Sequence, residues 1–257
     1  LFPAFLSALL ALNTCSRYST VTETRIALGT YVKVTVVTKR GREEQVRRAL
    51  EAGYGQLKQY ERSFDYRSED GELALFNRSA VLHRERHPQL YALVQDALRL
   101  ARLTDGYFDP TILPVTRAWG FDTDNPSLPE QEVLDQALLK VGYRQVTVSD
   151  REIRKPLQVN LDLSGIAKGK IVDLLRDYLR DAGYGNFLID AGGDIYVSGT
   201  RERGQPWRVA VQDPVHENRY RGVLTRSDTA IVTSGDYERF FMVDGDRFTH
   251  LFNPRTG

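Results

Sequence analysis

The chain has 257 residues, of which 41% are hydrophobic and 27% charged, a balance typical of a globular protein with a substantial core. Its formal net charge is +1, so the sequence has no overall basic character and a nucleic-acid partner is not expected. Because no run of about 18 apolar residues occurs, no transmembrane helix is expected.

The first residues, LFPAFLSALLALNTC, form an apolar stretch with the length of a signal peptide, although they lack a starting Met and a basic segment. They end at Cys15, the only cysteine, so no disulfide can form within the chain. A cysteine in this place is typical of a lipoprotein cleavage site, although Asn13 and Thr14 are bulky for one. We expect residues 1–15 to be a lipoprotein signal. The protein would then be exported and lipid-anchored at the periplasmic face of the inner membrane. The alternative is a truncated signal peptide with an incidental cysteine.

The first half of the chain is predicted to be mainly helical after one strand. Thr30–Thr38 is rich in β-branched residues and predicts a strand. Apolar residues recur every three or four positions between Val46 and Phe64, which predicts an amphipathic helix. A second such helix runs from about His87 to Leu103 and stops at an Asp-Gly pair. The two prolines of FDPTILPVTRAWGF indicate a loop, and a third helix is predicted at about 129–141.

The second half is predicted to be rich in strands, with one long helix. Strands are expected near 145–148 and 157–161, followed by a glycine turn at Gly165 and a helix from about 166 to 181. Further strands are expected at 186–189, 194–197, 207–212, 222–225, 231–233 and 240–243. Helices early and strands late predict an α+β fold, which we expect to be one compact domain with a largely antiparallel late sheet.

Two glycine-containing stretches are candidates for binding a nucleotide. In NLDLSGIAKGKIVDLL, Lys168 and a helix N-terminus would favour a phosphate, and Asp162 would accept from a ligand or hold a cation. In LIDAGGDIYVSG, a double glycine would allow a close approach of ligand and backbone. Each stretch alone also fits an ordinary turn. Near the end, Asp236 and His250 lie fourteen residues apart on a predicted hairpin, and a lone histidine is more often structural than catalytic.

Together, six stretches in order resemble the ApbE-type FAD:protein FMN transferases, from about Thr24 to Gly257. They are SFDYRSEDGELALFNRS, TDGYFDPTILPVTRAWGF, NLDLSGIAKGKIVDLL, LIDAGGDIYVSG, TSGDYERFF and THLFNPRTG. The resemblance implies a Mg²⁺-dependent transfer of FMN from FAD to a threonine hydroxyl of an acceptor flavoprotein subunit, with release of AMP.

The resemblance also implies roles for individual residues. Tyr66 would stack on the flavin ring, His250 would assist deprotonation of the acceptor hydroxyl, and the main-chain carbonyl of Gly165 would bind the metal. The remaining FAD-binding positions are Leu28, Tyr107, Phe108, Asp109, Asp162, Lys168 and Leu251.

The sequence departs from the family pattern near its end. Asn253 stands where Asp is usual before Pro-Arg-Thr-Gly, and the family continues beyond this point into a segment that supplies an Asp and a Thr to Mg²⁺. We therefore expect a missing C-terminal part, an incomplete metal site and weak FAD binding in the 257-residue chain. Two alternative functions remain open: an FAD pyrophosphatase that releases FMN and AMP, and a flavin-binding lipoprotein without turnover.

Overall fold

The computed structural model describes residues 17–213, 216, 219–235 and 240–257. Within these residues helices and antiparallel strands combine in an α+β fold, as the sequence predicts. The helices are α1 Glu43–Phe64, α2 Glu72–Asn77, α3 Pro88–Leu103, α4 Leu113–Ala118, α5 Gln131–Leu138 and α6 Ser164–Asp181. The strands are β1 Tyr18–Ala27, β2 Thr30–Lys39, β3 Val81–His83, β4 Thr147–Val148, β5 Glu152–Arg154, β6 Phe187–Ala191, β7 Asp194–Ser198, β8 Trp207–Gln212, β9 Tyr220–Arg226, β10 Thr229–Ile231, β11 Phe240–Val243 and β12 Asp246–Thr249.

The main sheet has five strands in the order β1-β2-β6-β7-β10, with every neighbouring pair antiparallel. Successive side chains of a strand point to opposite faces, and β2 shows the consequence. Val32, Val34 and Val36 are fully buried in the main core under the helices. Val37 faces the other way, into a second cluster with Trp207 of β8. Both faces of the sheet are therefore covered around β2.

Helices α1 and α6 pack closely together over the sheet. Their approach depends on Gly53, where a Cβ atom would lie 2.9 Å from Leu175 Cδ1 of α6. The Tyr178 hydroxyl donates to the carbonyl of Ala49 at 3.1 Å, which adds a polar contact between the two helices. Helix α6, which follows the candidate nucleotide-binding stretch, is thus fixed against the main core.

A third cluster joins α4 and α5 to the last residues of the chain. Val115 and Leu134 are buried in it, and Trp119 and Phe252 pack against it. The Trp119 indole Nε1 donates to the carbonyl of Gly257 at 2.8 Å. This cluster places the segment after β12 beside the segment after α4.

The structure corrects three expectations of secondary structure. Residues 113–118 form helix α4 and not a loop, because Pro114 lies in its first turn, where a helix needs no N–H from that residue. Residues 157–161 lie outside the strands, and β5 precedes them. Gly165 does not form a turn before the helix, because α6 begins at Ser164 and already contains it.

Other elements agree closely with the sequence patterns or extend them. The strands predicted at 207–212 and 240–243 have the bounds of β8 and β11. Helix α3 begins at Pro88 and ends where Asp105 and Gly106 take positive φ values of 49° and 82°. The sequence analysis predicted no element at the positions of β1, α2, β3 and β5.

Candidate functional site

Two turns of the main sheet lie at one of its ends. Strands β2 and β6 are antiparallel, with Val32 opposite Ala191, so the turn before β2 and the turn after β6 come together. Leu28 in the first turn has a φ of 57°, unusual for a residue with a side chain, and packs against the main core. Gly192 in the second has a φ of 63°, and a Cβ there would lie 2.4 Å from Thr30 Oγ1. The double glycine therefore lets the two turns approach each other.

Lys168 connects helix α6 to the same end of the sheet. Its Nζ lies 3.2 Å from Asp194 Oδ2, and Asp194 is the first residue of β7, directly after the double glycine. Both side chains keep partial access to solvent, so the ammonium group can exchange its partner for a phosphate. The pair joins two stretches that are separate in the sequence, NLDLSGIAKGKIVDLL and LIDAGGDIYVSG.

Asp162 links the start of α6 to the loop at residues 107–110. The residue is 7% exposed, and its Oδ1 accepts a hydrogen bond from the main-chain N–H of Ser164 at 2.9 Å. Its own N–H donates to the carbonyl of Pro110 at 2.8 Å. The N–H groups of Ile166 and Ala167 donate to the carbonyl of Leu163, so several amides of the first turn already have partners. An anion would meet fewer free amides here than the sequence pattern predicted.

Phe108 and Asp109 are held firmly in that loop. The Phe108 ring packs on Gly165, where a Cβ atom would lie 3.2 Å from its Cε2. The Asp109 carboxylate is 6% exposed and accepts hydrogen bonds from Thr111 N at 2.8 Å, Thr111 Oγ1 at 2.6 Å and Tyr143 N at 2.9 Å. Asp109 therefore shapes the loop, and its oxygens are already used within the protein.

Tyr107 lies on the outer side of the same loop. Its side chain is exposed, and the Arg255 guanidinium lies 4.5 Å from the centre of its ring. Arg255 Nη2 also donates to the carbonyl and to Oδ2 of Asp105, both at 2.8 Å. A cavity of about 430 Å³ adjoins these residues and reaches Asp109 and Tyr143.

Tyr66 is half-buried against the main core, in the segment between α1 and α2. Burial raises the pKa of its phenol, and the negative charges of Asp162 and Asp122 raise it further. The phenol therefore stays neutral at physiological pH. The Arg67 guanidinium lies 5.7 Å from the centre of the Tyr66 ring. An aromatic ring near a buried acid and a cation is suited to a planar, partly charged ligand.

His250 and Leu251 follow directly after β12. The His250 ring lies 6.5 Å from the ring of Phe121 at an angle of 60°. Phe121 precedes Asp122, whose negative charge helps to raise the pKa of Tyr66. Leu251 is 58% exposed, and its N–H donates to Thr249 Oγ1 at 3.3 Å. Asp236, which was predicted to lie on the same hairpin as His250, is outside the described residues, as is Cys15.

The described residues show no cluster of ionisable side chains suited to a metal ion. Among them no group of three or more His, Cys, Asp or Glu residues is placed to hold a metal ion. Gly165 lies in the first turn of α6, where main-chain carbonyls point along the helix and accept hydrogen bonds from later residues. Mg²⁺ prefers about six oxygen ligands, so this one carbonyl does not satisfy it. The metal role of Gly165 stays a prediction.

Sequence analysis missed the residues that contact the candidate site residues and hold them in place. Arg67 and Arg255 each cover a tyrosine ring, and Asn77 and Lys155 fix the segment before Asp162. Arg255 belongs to the Pro-Arg-Thr-Gly motif, which was a usable signal for it. Asn77 and Lys155 make contacts with residues far away in the chain, which a local pattern does not reveal.

A family model described as the ApbE family matches residues 28–257. The chain belongs to the ApbE family. It is 33% identical over 224 residues to a Vibrio cholerae protein named FAD:protein FMN transferase, covering 84% of this chain and 64% of that protein. A Salmonella typhimurium protein of the same name is 33% identical over 244 residues, covering 90% of this chain and 68% of that protein. The ApbE-family chain thus spans roughly two thirds of the length of these relatives.

Solved ApbE structures share the fold of this ApbE-family chain. The crystal structure of the ApbE protein from Thermotoga maritima superimposes with a TM-score of 0.82 at 32% identity, covering 93% of this chain and 77% of that one. The flavin transferase ApbE from Vibrio cholerae gives a TM-score of 0.80 at 29% identity, with the same coverage. The α+β architecture described above is therefore that of the family.

Proposed function

We propose that this chain contains the FAD-binding and transfer site of an FAD:protein FMN transferase. The observation that carries the proposal is the convergence of family motifs in one region. Asp162 is hydrogen-bonded to the Phe108 loop, its charge acts on Tyr66, and Lys168 reaches the double-glycine turn. Membership of the ApbE family and the names of the relatives support the same activity.

In the proposed reaction the hydroxyl oxygen of an acceptor threonine attacks the phosphorus of the FMN half of FAD. The bond from that phosphorus to the bridging oxygen of the pyrophosphate breaks, and AMP leaves with the bridging oxygen. The hydroxyl proton passes to the imidazole of His250. Little covalent work falls to the protein, so correct positioning of the phosphates and the hydroxyl supplies most of the rate.

The binding roles follow from the surroundings of each residue. The Tyr66 ring would stack on the isoalloxazine, with Leu28 and Leu251 as apolar contacts beside it. The Lys168 ammonium would exchange Asp194 for a phosphate oxygen. The buried Asp162 carboxylate would accept a hydrogen bond from the ligand. Tyr107, Phe108 and Asp109 would form one wall, with Asp109 acting through the loop that it holds.

The proposal also includes magnesium dependence, an acceptor protein and a location. Magnesium and the acceptor follow from the resemblance, and the location follows from the first residues of the sequence. Mg²⁺ would neutralise charge on the pyrophosphate, but the described residues do not make up its ligand set, and the steps above do not pass through it. The acceptor would be a flavoprotein subunit with a target threonine. No helix among the described residues is long and apolar enough to cross a membrane. A lipid on Cys15 would provide the membrane anchor at the periplasmic face.

Incubation of the full-length protein with FAD, Mg²⁺ and a threonine-bearing acceptor tests the proposal. Covalent flavin fluorescence on the acceptor is expected. Release of free FMN and AMP would indicate a pyrophosphatase, and unchanged bound FAD would indicate a carrier. His250→Ala should lower the transfer rate by about 10²–10⁴-fold, the usual contribution of general base catalysis. His83→Ala removes an exposed histidine on β3 and is the matched control. Equal rates for both variants would remove His250 from the reaction.

A further inference from the structure

The segment before Asp162 is partly buried without being part of a helix or a strand. Leu161 is fully buried, yet residues 155–163 lie outside the regular elements. Buried main-chain N–H and C=O groups need hydrogen-bond partners, and here no neighbouring strand supplies them. The conformation of this segment must therefore be set by other contacts.

The side chain of Asn77 supplies those contacts to Leu161. Its Oδ1 accepts from the Leu161 N–H at 2.8 Å, and its Nδ2 donates to the Leu161 carbonyl at 2.9 Å. One amide side chain thus replaces the peptide group of a missing strand, between residues 84 positions apart. The next N–H, of Asp162, donates to Pro110. Leu161 and Asp162 are thus held by two different segments, α2 and the loop at residues 107–110.

Asn77 is itself held by a buried lysine. It is the last residue of α2, where main-chain carbonyls have no partner within the helix. The Lys155 Nζ donates to the Asn77 carbonyl at 3.2 Å, and it lies 5.2 Å from the centre of the Phe76 ring. Lys155 is only 4% exposed, and a cation at a helix C-terminus is favourably placed. The main-chain N–H of Lys155 donates to Ala80, which fixes the base of this side chain.

We propose that Asn77 is a positioning residue of the flavin site, acting through Leu161 on Asp162, and that Lys155 holds Asn77 in place for this role. The inference rests on the proposed function, since it assumes that Asp162 contacts FAD. Neither side chain is proposed to touch the ligand. Both keep the Asp162 carboxylate in the position in which it meets the ligand. A displacement of a fraction of an ångström is enough to weaken a hydrogen bond.

A double-mutant cycle on FAD binding tests this role. We expect Asn77→Ala to weaken FAD binding about tenfold, as for the loss of one well-placed hydrogen bond. Because Asn77 acts through Asp162, the same change in an Asp162→Ala background should weaken binding by less than about twofold. A purely structural effect would give the same factor in both backgrounds. The titration uses the full-length protein and the flavin fluorescence of FAD.

Asn186→Ala is the matched control. The Asn186 Oδ1 also accepts a main-chain N–H, that of Thr200 at 2.8 Å, but it lies just before β6, at the opposite end of the main sheet from the double glycine. We expect its FAD affinity to remain within about twofold of the wild type, although the variant loses a comparable hydrogen bond.

Lys155→Met keeps the test decisive if Asn77→Ala does not fold. The methionine retains the apolar stem and removes the buried ammonium. We expect about threefold weaker FAD binding, from the released Asn77, together with a urea midpoint no lower than that of the wild type. Affinity and stability that fall together would contradict the positioning role. FAD binding by the wild type and an unchanged Asn77→Ala affinity would overturn the inference alone. A wild-type chain that does not bind FAD would overturn the proposed function as well.

Discussion

The buried ammonium of Lys155 should make the stability of this protein depend on pH in an unusual direction. Burial lowers the pKa of Lys155 from its ordinary 10.5 to about 8. Among the described residues no carboxylate lies within ion-pair distance of its Nζ, whose recorded contacts are the Asn77 carbonyl and the Phe76 ring. The charged form is therefore poorly compensated.

The sign and size of the effect follow from the two pKa values. Between pH 8 and 10.5 the unfolded chain keeps the lysine proton and the folded chain has lost it, so stability rises with pH in this range. Below pH 8 both states are protonated and the full penalty is present. A difference of 2.5 pH units corresponds to about 3 kcal/mol, since each unit is worth about 1.4 kcal/mol. About 2 kcal/mol of this should be recovered between pH 7 and 9.5.

Urea unfolding of wild type and Lys155→Met at pH 7.0 and 9.5 measures this contribution. Other titrating groups are common to both proteins, so the difference between them isolates Lys155. We expect that difference to change by about 2 kcal/mol in favour of the wild type as the pH rises. Lys58→Met removes an exposed ammonium from α1 and controls for the loss of one positive charge. If wild type and Lys155→Met show the same change with pH, the ammonium is not buried as described.

Two further predictions concern the ligand and the membrane. Tyr66→Ala should weaken FAD binding by about fivefold to tenfold and shift the absorbance of the bound flavin, because ring stacking contributes about 1 kcal/mol beyond burial. An unchanged affinity and spectrum would place Tyr66 outside the site. Cys15→Ser should abolish incorporation of labelled palmitate and release the protein from membranes in high salt, since Cys15 is the only cysteine of this sequence and the proposed site of the lipid. Labelling of the serine variant would show that the anchor is elsewhere.

Elements with a strong apolar period were predictable from the sequence. Helix α1 buries Val46, Leu50, Tyr54 and Leu57 on one face, and the spacing of these residues shows that face directly. Strand β8 begins after Pro206, strand β11 ends before Asp244-Gly245, and both have the bounds that the sequence predicted. In such elements the local pattern and the tertiary environment agree, so local analysis is sufficient.

The errors occur where a distant contact replaces a local pattern. Val159 and Leu161 are both buried, which gives residues 157–161 the alternation of a strand. Their hydrogen bonds, however, go to the Asn77 side chain and to the turn at Pro156. Gly165 looked like a turn because glycine is common there, but it serves to admit the Phe108 ring. Neither partner can be identified from the neighbouring sequence.

The resemblance located the motif residues, but it did not show which hydrogen bonds they already make within the protein. Asp109 looks like a ligand contact in the sequence, yet Thr111 and Tyr143 already occupy its oxygens. Asp162 keeps one oxygen on the start of α6.

The irregular segment joins Asp162 to the loop that carries Phe108 and to the start of α6. In this segment a few side-chain hydrogen bonds replace the cooperative hydrogen bonds of a sheet. Each of them therefore contributes more to the geometry of the site. For this reason single substitutions at Asn77 or Lys155, which lie behind the site, should change flavin binding more than many substitutions on the exposed surface of the same region.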